Sequence, residues 1–267
     1  MAQFKKTRIA PTPSGYLHVG NALSFITTAK LAEQTGAALL LRIDDIDKQR
    51  VTDSYLQDIF DTLNFLQISC NEGPRNVEDV KANWSQYCRL DIYQDMLEQL
   101  IQKDAIYACT CSRIQVDDCN CVEQNIPLDT DNVNWRLRTH TNQILKIKTL
   151  QQGIVEARLP NEMKDFIVRK KDGCPAYQLT SLADDLHFGV DLIVRGEDLW
   201  HSTIAQVYLA NVLGEERSNN ITFHHHLLIT DSDGNKLSKS AGDTSIKHLG
   251  EQGYKLDDIY KQLGQYL

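Results

Sequence analysis

No stretch of the 267-residue chain is apolar over the roughly 18 residues that a membrane span requires; the longest run is GAALLLRI at 36–43. The N-terminal MAQFKKTRIAP lacks the apolar core of a secretory signal, so a cytoplasmic protein is expected. An excess of positive charge is missing too. Lys and Arg total 28 against 36 Asp and Glu, a formal net charge of −8, so a nucleic-acid partner would have to be held by a local basic patch. No low-complexity tract and no internal repeat is present. A further absence concerns Gly15 and Gly20 in RIAPTPSGYLHVGNALSF (8–25), which open like a phosphate-cradling P-loop. Asn21 and Ala22 follow where that loop would have Lys and then Ser or Thr, and His18 sits between the glycines.

What is present reads as an ordinary globular composition, 42% hydrophobic and 24% charged, with core enough for one large or two modest domains. KTRIA predicts a first strand ended by Pro11 and Pro13. Apolar Leu23, Ile26, Ala29 and Leu31 predict a helix over 19–34. AALLLRI is a continuous apolar run of strand length, fit for a buried parallel strand. DSYLQDIFDTLNFL predicts a helix capped at Asp53 or Ser54. Strand, helix, strand, helix in that order predicts a right-handed βαβ unit and a doubly wound, Rossmann-like parallel sheet. Residues 109–164 break the alternation with a cysteine-rich turn and the strand-like WRLRTH and QILKIKTL. DFIVRK, a helix from about Tyr177, DLIVRGED and the helix HSTIAQVYLANVLG then resume it. The expected organisation is therefore a catalytic α/β domain in two halves, 1–105 and 165–267, with a small α+β insertion at 106–164.

The first strand ends by Pro11, so the turn holding His18 and Gly20 falls at the carboxyl edge of the sheet, where open α/β sheets bind ligands. A helix starting there directs backbone N–H groups and a partial positive charge outward. Gly20 has no side chain to obstruct approach, and His18 can donate a hydrogen bond to a phosphoryl oxygen. Far downstream, DSDGNKLSKS (231–240) is a loop with two cations, Lys236 and Lys239, able to neutralise a triphosphate and a leaving pyrophosphate. Together, HVGN and KLSKS resemble the paired signatures of the class I aminoacyl-tRNA synthetases. The resemblance implies a Rossmann-like catalytic fold and ATP, with Mg²⁺, held by His18, Gly20, Asn21 and Lys239, with Lys236 assisting catalysis. The implied chemistry is attack of an amino-acid carboxylate on the α-phosphate.

RIAPTPSG, LLLRIDDID, AYQLTSLADDLHFGVDLIVRGEDL and KLSKS are similar to the glutamyl branch of that class, from Arg8 to about Ser240. By this resemblance Arg8, Thr12, Asp44, Tyr177 and Arg195 hold L-glutamate. Arg8 and Arg195 can pair with carboxylates in fork geometry, and Asp44 can meet the ammonium group. Two positions depart from the family pattern: Asp44 stands where Glu is usual, and Thr12 where Ser is usual. Asp45 and Asp47 beside Asp44 are of the residue type that caps helices.

Only 27 residues follow Ser240 (267 − 240), too few for an anticodon-binding domain. This resembles the truncated members of the glutamyl branch, the glutamyl-Q tRNA(Asp) synthetases, which attach glutamate to queuosine in the anticodon loop. That implies tRNA(Asp) carrying queuosine as partner, and a monomer is expected. Members of that family carry zinc in the insertion, and this chain has CTCSRIQVDDCNC. Cys109, Cys111, Cys119 and Cys121 form two C-x-C pairs separated by seven residues. Seven cysteines in all is an odd number, and in a reducing compartment such clustering suggests metal rather than disulfides. Four thiolates suit one tetrahedral, structural Zn²⁺. His224, His225 and His226 lie in a strand-like segment, where neighbours face opposite ways, which argues against a three-histidine site. Arg136, Arg138, Lys146 and Lys148 are available for RNA phosphates or form a solvated strand face. Rival readings are a minimal glutamyl-tRNA synthetase, an adenylate-forming paralogue with a non-tRNA acceptor, and an inactive RNA-binding relative. The last has no need of His18, Gly20, Lys236 and Lys239.

Overall fold

The computed structural model describes residues 3–111, 119–229, 245–264 and 266. The chain divides into two compact units, Met1–Cys88 with Gly189–Leu199 and Thr222–Leu267, and Arg89–Phe188 with Trp200–Ile221. In the first unit, β1 (Lys6–Ile9) runs into α1 (Val19–Thr35) and returns as β2 (Ala38–Leu41). β1 and β2 are parallel, with Lys6 opposite Ala38 and Ile9 opposite Leu41. Val19, Leu23 and Ile26 bury one face of α1. The helix stops at Gly36, whose φ of +74° is a left-handed conformation that costs glycine little, and whose N–H donates to the Ala32 carbonyl.

The helix α2 (Asp53–Phe65) buries Leu56, Ile59 and Leu63 at helical spacing. Its cap is neither Asp53 nor Ser54 but Thr52, whose hydroxyl accepts the Tyr55 N–H at 3.2 Å. Asp53 is already inside the first turn and pairs instead with Lys81 at 2.7 Å. A short α3 (Val77–Asp79) follows.

The second unit begins with α4 (Leu90–Gln102), which has no counterpart in the sequence reading. Its buried Tyr93, Met96, Leu97 and Leu100 have the i, i+3, i+4, i+7 spacing that marks a helix. Three antiparallel strands come next in space: β3 (Ile106–Cys109) and β4 (Asn134–Leu137) pair directly, and β4 continues to β7 (Ile167–Arg169). Between them in sequence, β5 (Leu145–Thr149) and β6 (Gly153–Ala157) form a hairpin. Two helices, α5 (Tyr177–His187) and α6 (Trp200–Leu213), pack on one another and on α4. A buried fork ties this unit together. Arg89 donates to both Asp184 oxygens, at 2.7 and 3.1 Å, and the Tyr93 hydroxyl donates to the same carboxylate at 2.7 Å. Burial, then the neighbouring Asp184 charge, pushes the Tyr93 phenol far up and keeps it a donor.

The first unit resumes with β8 (Leu192–Gly196) and β9 (Thr222–His226), then α7 (Ile246–Glu251) and α8 (Leu256–Leu263). β8 lies parallel to β1, with Leu192 opposite Thr7, and parallel to β9, from Leu192–Thr222 to Gly196–His226. The order β2-β1-β8-β9, parallel throughout, is the sheet that strand–helix alternation predicts. Among the described residues no helix is long and apolar enough to cross a membrane.

Candidate functional site

Parallel strands deliver their carboxyl ends to one edge, and four of the five residues expected to hold glutamate belong to the strands of the first unit or the turns leaving them. Arg8, on β1, is 5% exposed and its Nη1 donates to the Val194 carbonyl at 3.3 Å. That reach brings it to β8 beside Arg195, which is 4% exposed and lies 5.5 Å from the Phe223 ring centroid. Thr12, exposed, leaves β1 in a tight turn in which its carbonyl accepts the Ser14 N–H at 2.9 Å. Asp44 leaves β2, and its N–H donates to the Pro11 carbonyl at 3.0 Å, which sets it next to Thr12. Tyr177 belongs to the second unit, where it is exposed at the start of α5.

The Asp44 carboxylate is gripped in a way the sequence reading missed. Arg42 donates Nε to one oxygen at 2.7 Å and Nη2 to the other at 2.9 Å, and both side chains are buried. Residues two apart in an extended segment face the same way, and that spacing is the signal that could have found the pair. Asp45 caps no helix; it accepts the Ser85 hydroxyl at 2.6 Å and the Gln86 N–H at 2.7 Å. Gln86 Oε1 in turn accepts the Ile46 N–H at 2.8 Å, so the segment carrying Asp44 is fastened on both sides.

His18 is the N-cap of α1. Its Nδ1 accepts the Gly20 N–H at 3.1 Å, while its own N–H donates to Asn21 Oδ1 at 3.0 Å. A neutral imidazole that accepts at Nδ1 carries its proton on Nε2, the form that donates to an anion. The Gly20 amide is thus engaged by the histidine. Any residue but proline could supply that amide; what favours glycine is that a Cβ at position 20 would come within 2.9 Å of the imidazole Cε1 and push the ring aside. Lys236 and Lys239 lie outside the described residues.

The three histidines of β9 do not converge on a metal. His226 Nε2 meets the Ser24 hydroxyl of α1 at 2.6 Å and its Nδ1 meets the Leu227 carbonyl at 2.9 Å, while His225 stacks on Phe223. Burial lowers all three pKa values. His225 falls furthest, to about 4, through burial first and then the Arg195 charge.

In the second unit, Cys109 ends β3 and the four sulfurs of Cys109, Cys111, Cys119 and Cys121 all lie within 4.8 Å of one another. Two separations are 3.7 Å (Cys109–Cys119) and 3.6 Å (Cys111–Cys121). Tyr107 and Ile126 pack against the cluster. Burial works against ionisation of Cys121, but hydrogen bonds led by the Thr110 backbone and the Cys111 thiol outweigh it and bring the pKa to about 6. Burial, then its Cys121 and Cys119 neighbours, pushes the Cys111 thiol up to about 12. Lys171 Nζ donates to the Thr110 carbonyl at 2.7 Å, bringing a cation to the turn between two of the thiols. The cluster could hold one metal ion. Of the basic residues, Lys146 and Lys148 are exposed on β5, but Arg136 is buried and donates to the Asp165 carbonyl at 2.9 Å, so it faces no phosphate.

A parallel sheet with buried guanidiniums and a histidine-capped helix at its carboxyl edge defines a ligand-binding α/β domain of the doubly wound kind. The chain belongs to the family of class I tRNA synthetases (E and Q), catalytic domain, which matches residues 5–126 and 123–265. It is 30% identical to a glutamate–tRNA ligase of Nitrosomonas europaea over 97% of this chain and 57% of the relative. It is 29% identical to a glutamate–tRNA ligase of Coxiella burnetii over 93% of this chain and 54% of the relative. The chain thus spans about half the length of these curated relatives. In fold it is similar to the crystal structure of a glutamate–tRNA synthetase from Elizabethkingia anophelis, with a TM-score of 0.74 at 23% identity over 90% of this chain and 54% of that one. A methionyl-tRNA synthetase from Mycobacterium tuberculosis gives a TM-score of 0.60 at 15% identity, over 98% of this chain and 64% of that one.

Proposed function

We propose that the chain activates L-glutamate with ATP and passes the glutamyl group to the queuosine base in the anticodon loop of tRNA(Asp). The observation that carries the activation step is the pair of buried guanidiniums, Arg8 and Arg195, on adjacent parallel strands. Asp44 and Thr12 stand in the neighbouring turns. Two forks and one carboxylate match the two carboxylates and one ammonium of glutamate. Tyr177, in the second unit, is assigned to glutamate by resemblance to the glutamyl branch alone.

In the first half-reaction a glutamate carboxylate oxygen bonds to the α-phosphorus, and the bond from that phosphorus to the bridging oxygen breaks. Pyrophosphate leaves; Mg²⁺, where bound, would supply further neutralisation of its charge. His18 Nε2–H meets a phosphoryl oxygen, Gly20 and Asn21 shape the turn around it, and Lys236 and Lys239 stabilise charge on the departing pyrophosphate. In the second half-reaction a hydroxyl oxygen of the queuosine diol bonds to the acyl carbon, the bond from that carbon to the phosphate oxygen breaks, and AMP leaves with the hydroxyl proton passing to its phosphate or to water. The four-thiol cluster holds a structural Zn²⁺. A tetrahedron with Zn–S bonds of about 2.3 Å has S···S edges of about 3.8 Å, close to the 3.6 and 3.7 Å found. The glutamyl motif set is common to both acceptor readings; a cysteine-bearing insertion like that of the glutamyl-Q branch, here with two C-x-C pairs and Cys119 where a tyrosine is frequent, is what supports the queuosine acceptor.

The curated relatives, themselves glutamate–tRNA ligases, favour a second reading, in which the acceptor is the 3′ end of tRNA(Glu). One experiment separates the two. The protein is incubated with ATP and labelled glutamate, and pyrophosphate exchange is measured first without RNA. Exchange should depend on glutamate, and Lys239→Ala should cost on the order of 3 kcal/mol of transition-state stabilisation. Exchange with aspartate or glutamine but not glutamate sinks the substrate assignment. Label is then expected on queuosine-containing tRNA(Asp), abolished by periodate; label on the 3′ end of tRNA(Glu) selects the second reading.

A further inference from the structure

Asp58 is a buried carboxylate that the site as described does not use. It lies on α2, is 3% exposed, and its Oδ2 accepts the Leu17 N–H at 2.7 Å. Leu17 is the residue before His18. Its carbonyl accepts the Ile246 N–H, at the first residue of α7, at 2.8 Å, and His18 itself bridges to Ser245. The residue before that, Tyr16, meets Tyr55 of α2 edge-on at 5.2 Å and has Lys247 of α7 over its ring at 4.9 Å. Each of the three residues 16–18 is therefore held from outside its own turn, and a carboxylate accepts the N–H of the peptide linking Tyr16 to Leu17.

A buried carboxylate is costly, and burial raises the pKa of Asp58 against the Leu17 N–H that lowers it. A neutral acceptor or a water could satisfy one amide at less cost. What a carboxylate adds is a short, charge-assisted bond that fixes the direction of that amide more tightly. The imidazole hangs from the next residue and is already committed at Nδ1, so the direction of the Leu17–His18 backbone sets where Nε2 lies. We propose that Asp58 is a positioning residue for His18, acting on the nucleotide only through the turn whose backbone it holds. This rests on the reading of His18 as a nucleotide contact.

The test is a double-mutant cycle read by glutamate-dependent ATP–pyrophosphate exchange, using Asp58→Ala, His18→Ala and both together. Asp58→Ala should lower kcat about 10- to 100-fold with the KM for glutamate unchanged. Asp58→Asn, whose Oδ1 can accept the same N–H, should restore most of it. In the His18→Ala background Asp58→Ala should add nothing. Equal losses in both backgrounds, or a loss carried by the KM for glutamate, would mean a general structural role and overturn the proposal. If Asp58→Ala does not fold, Asp58→Leu removes the acceptor while keeping the core filled. The His18 ring is also followed by NMR without substrates, where Asp58→Leu should move its resonances and titration and Asp58→Asn should leave them near those of the unsubstituted protein. A His18 signal indifferent to Asp58→Leu refutes the positioning role. Absence of exchange in the unsubstituted protein would count against the proposed function alone, since the NMR comparison still decides Asp58.

Discussion

The candidate sites of the two units carry their polar groups in different ways. In the first, cations and carboxylates are supplied by the chain, buried on or next to parallel strands, and fastened before any ligand arrives: Arg42 on Asp44, Ser85 and Gln86 on Asp45, Gly20 on His18. In the second, four thiols are gathered at the end of a strand and in the turn beyond, and their chemistry asks for a cation from outside. The difference teaches where order comes from. Regular elements pre-set a site through their own hydrogen bonds, whereas four clustered thiols could hold a metal ion, and a bound metal would add to their order.

The largest effect should come from attacking that dependence. Cys109→Ser or Cys121→Ser should reduce bound zinc from one per chain to none by elemental analysis, removing apparent binding energy of order 10 kcal/mol. Single-tryptophan variants localise the damage, because Trp84 lies in the first unit and Trp135 in the second. Trp135 should report early melting while Trp84 does not, and glutamate activation should survive better than transfer to RNA. Loss of activation in step with zinc would break the contrast drawn between the units.

Each unit also holds a buried arginine–aspartate fork, and these should differ in consequence more than in cost. Asp184→Ala and Asp44→Ala each break a bidentate arginine fork, the former also losing the Tyr93 hydroxyl bond, and should each destabilise by about 3–5 kcal/mol in denaturant unfolding. The second should also raise the KM for glutamate in pyrophosphate exchange, and the first should not. Equal KM values for both variants would deny Asp44 its role toward the ammonium group.

The smallest effect is a pH slope confined to the first unit. The folded pKa values of His224, His225 and His226 are depressed, that of His225 to about 4 from 6.5, by burial before any neighbouring charge. A depressed base binds its proton less tightly folded than unfolded, so its contribution is complete above pH 6.5 and is lost as pH falls toward 4. The unfolding midpoint read at Trp84 should fall over that window, and His225→Phe should flatten the slope. An unchanged slope in that variant would remove the buried imidazole as its cause.

Much of the molecule was legible in short stretches of sequence. The alternation of KTRIA, a 19–34 helix and AALLLRI specifies β1, α1 and β2 because apolar periodicity is a local property of strands and helices. HVGN and the C-x-C pairs place His18, Gly20 and the four thiols for the same reason: each motif is a spacing within one turn of backbone. The arrangement of those residues was decided only by the fold. Thr52 rather than Asp53 caps α2, because Asp53 already lies inside the first turn, where it pairs with Lys81, 28 residues away. Arg136 is a cation in a strand-like segment by sequence, but β4 buries it and turns it to the Asp165 carbonyl. Asp58 reaches Leu17 across 41 positions, and Ser24 reaches His226 across 202. Such bonds have no periodicity to announce them. They exist because the sheet order β2-β1-β8-β9 and the helices packed on it bring distant segments together, and a buried polar group must take whichever partner the topology supplies.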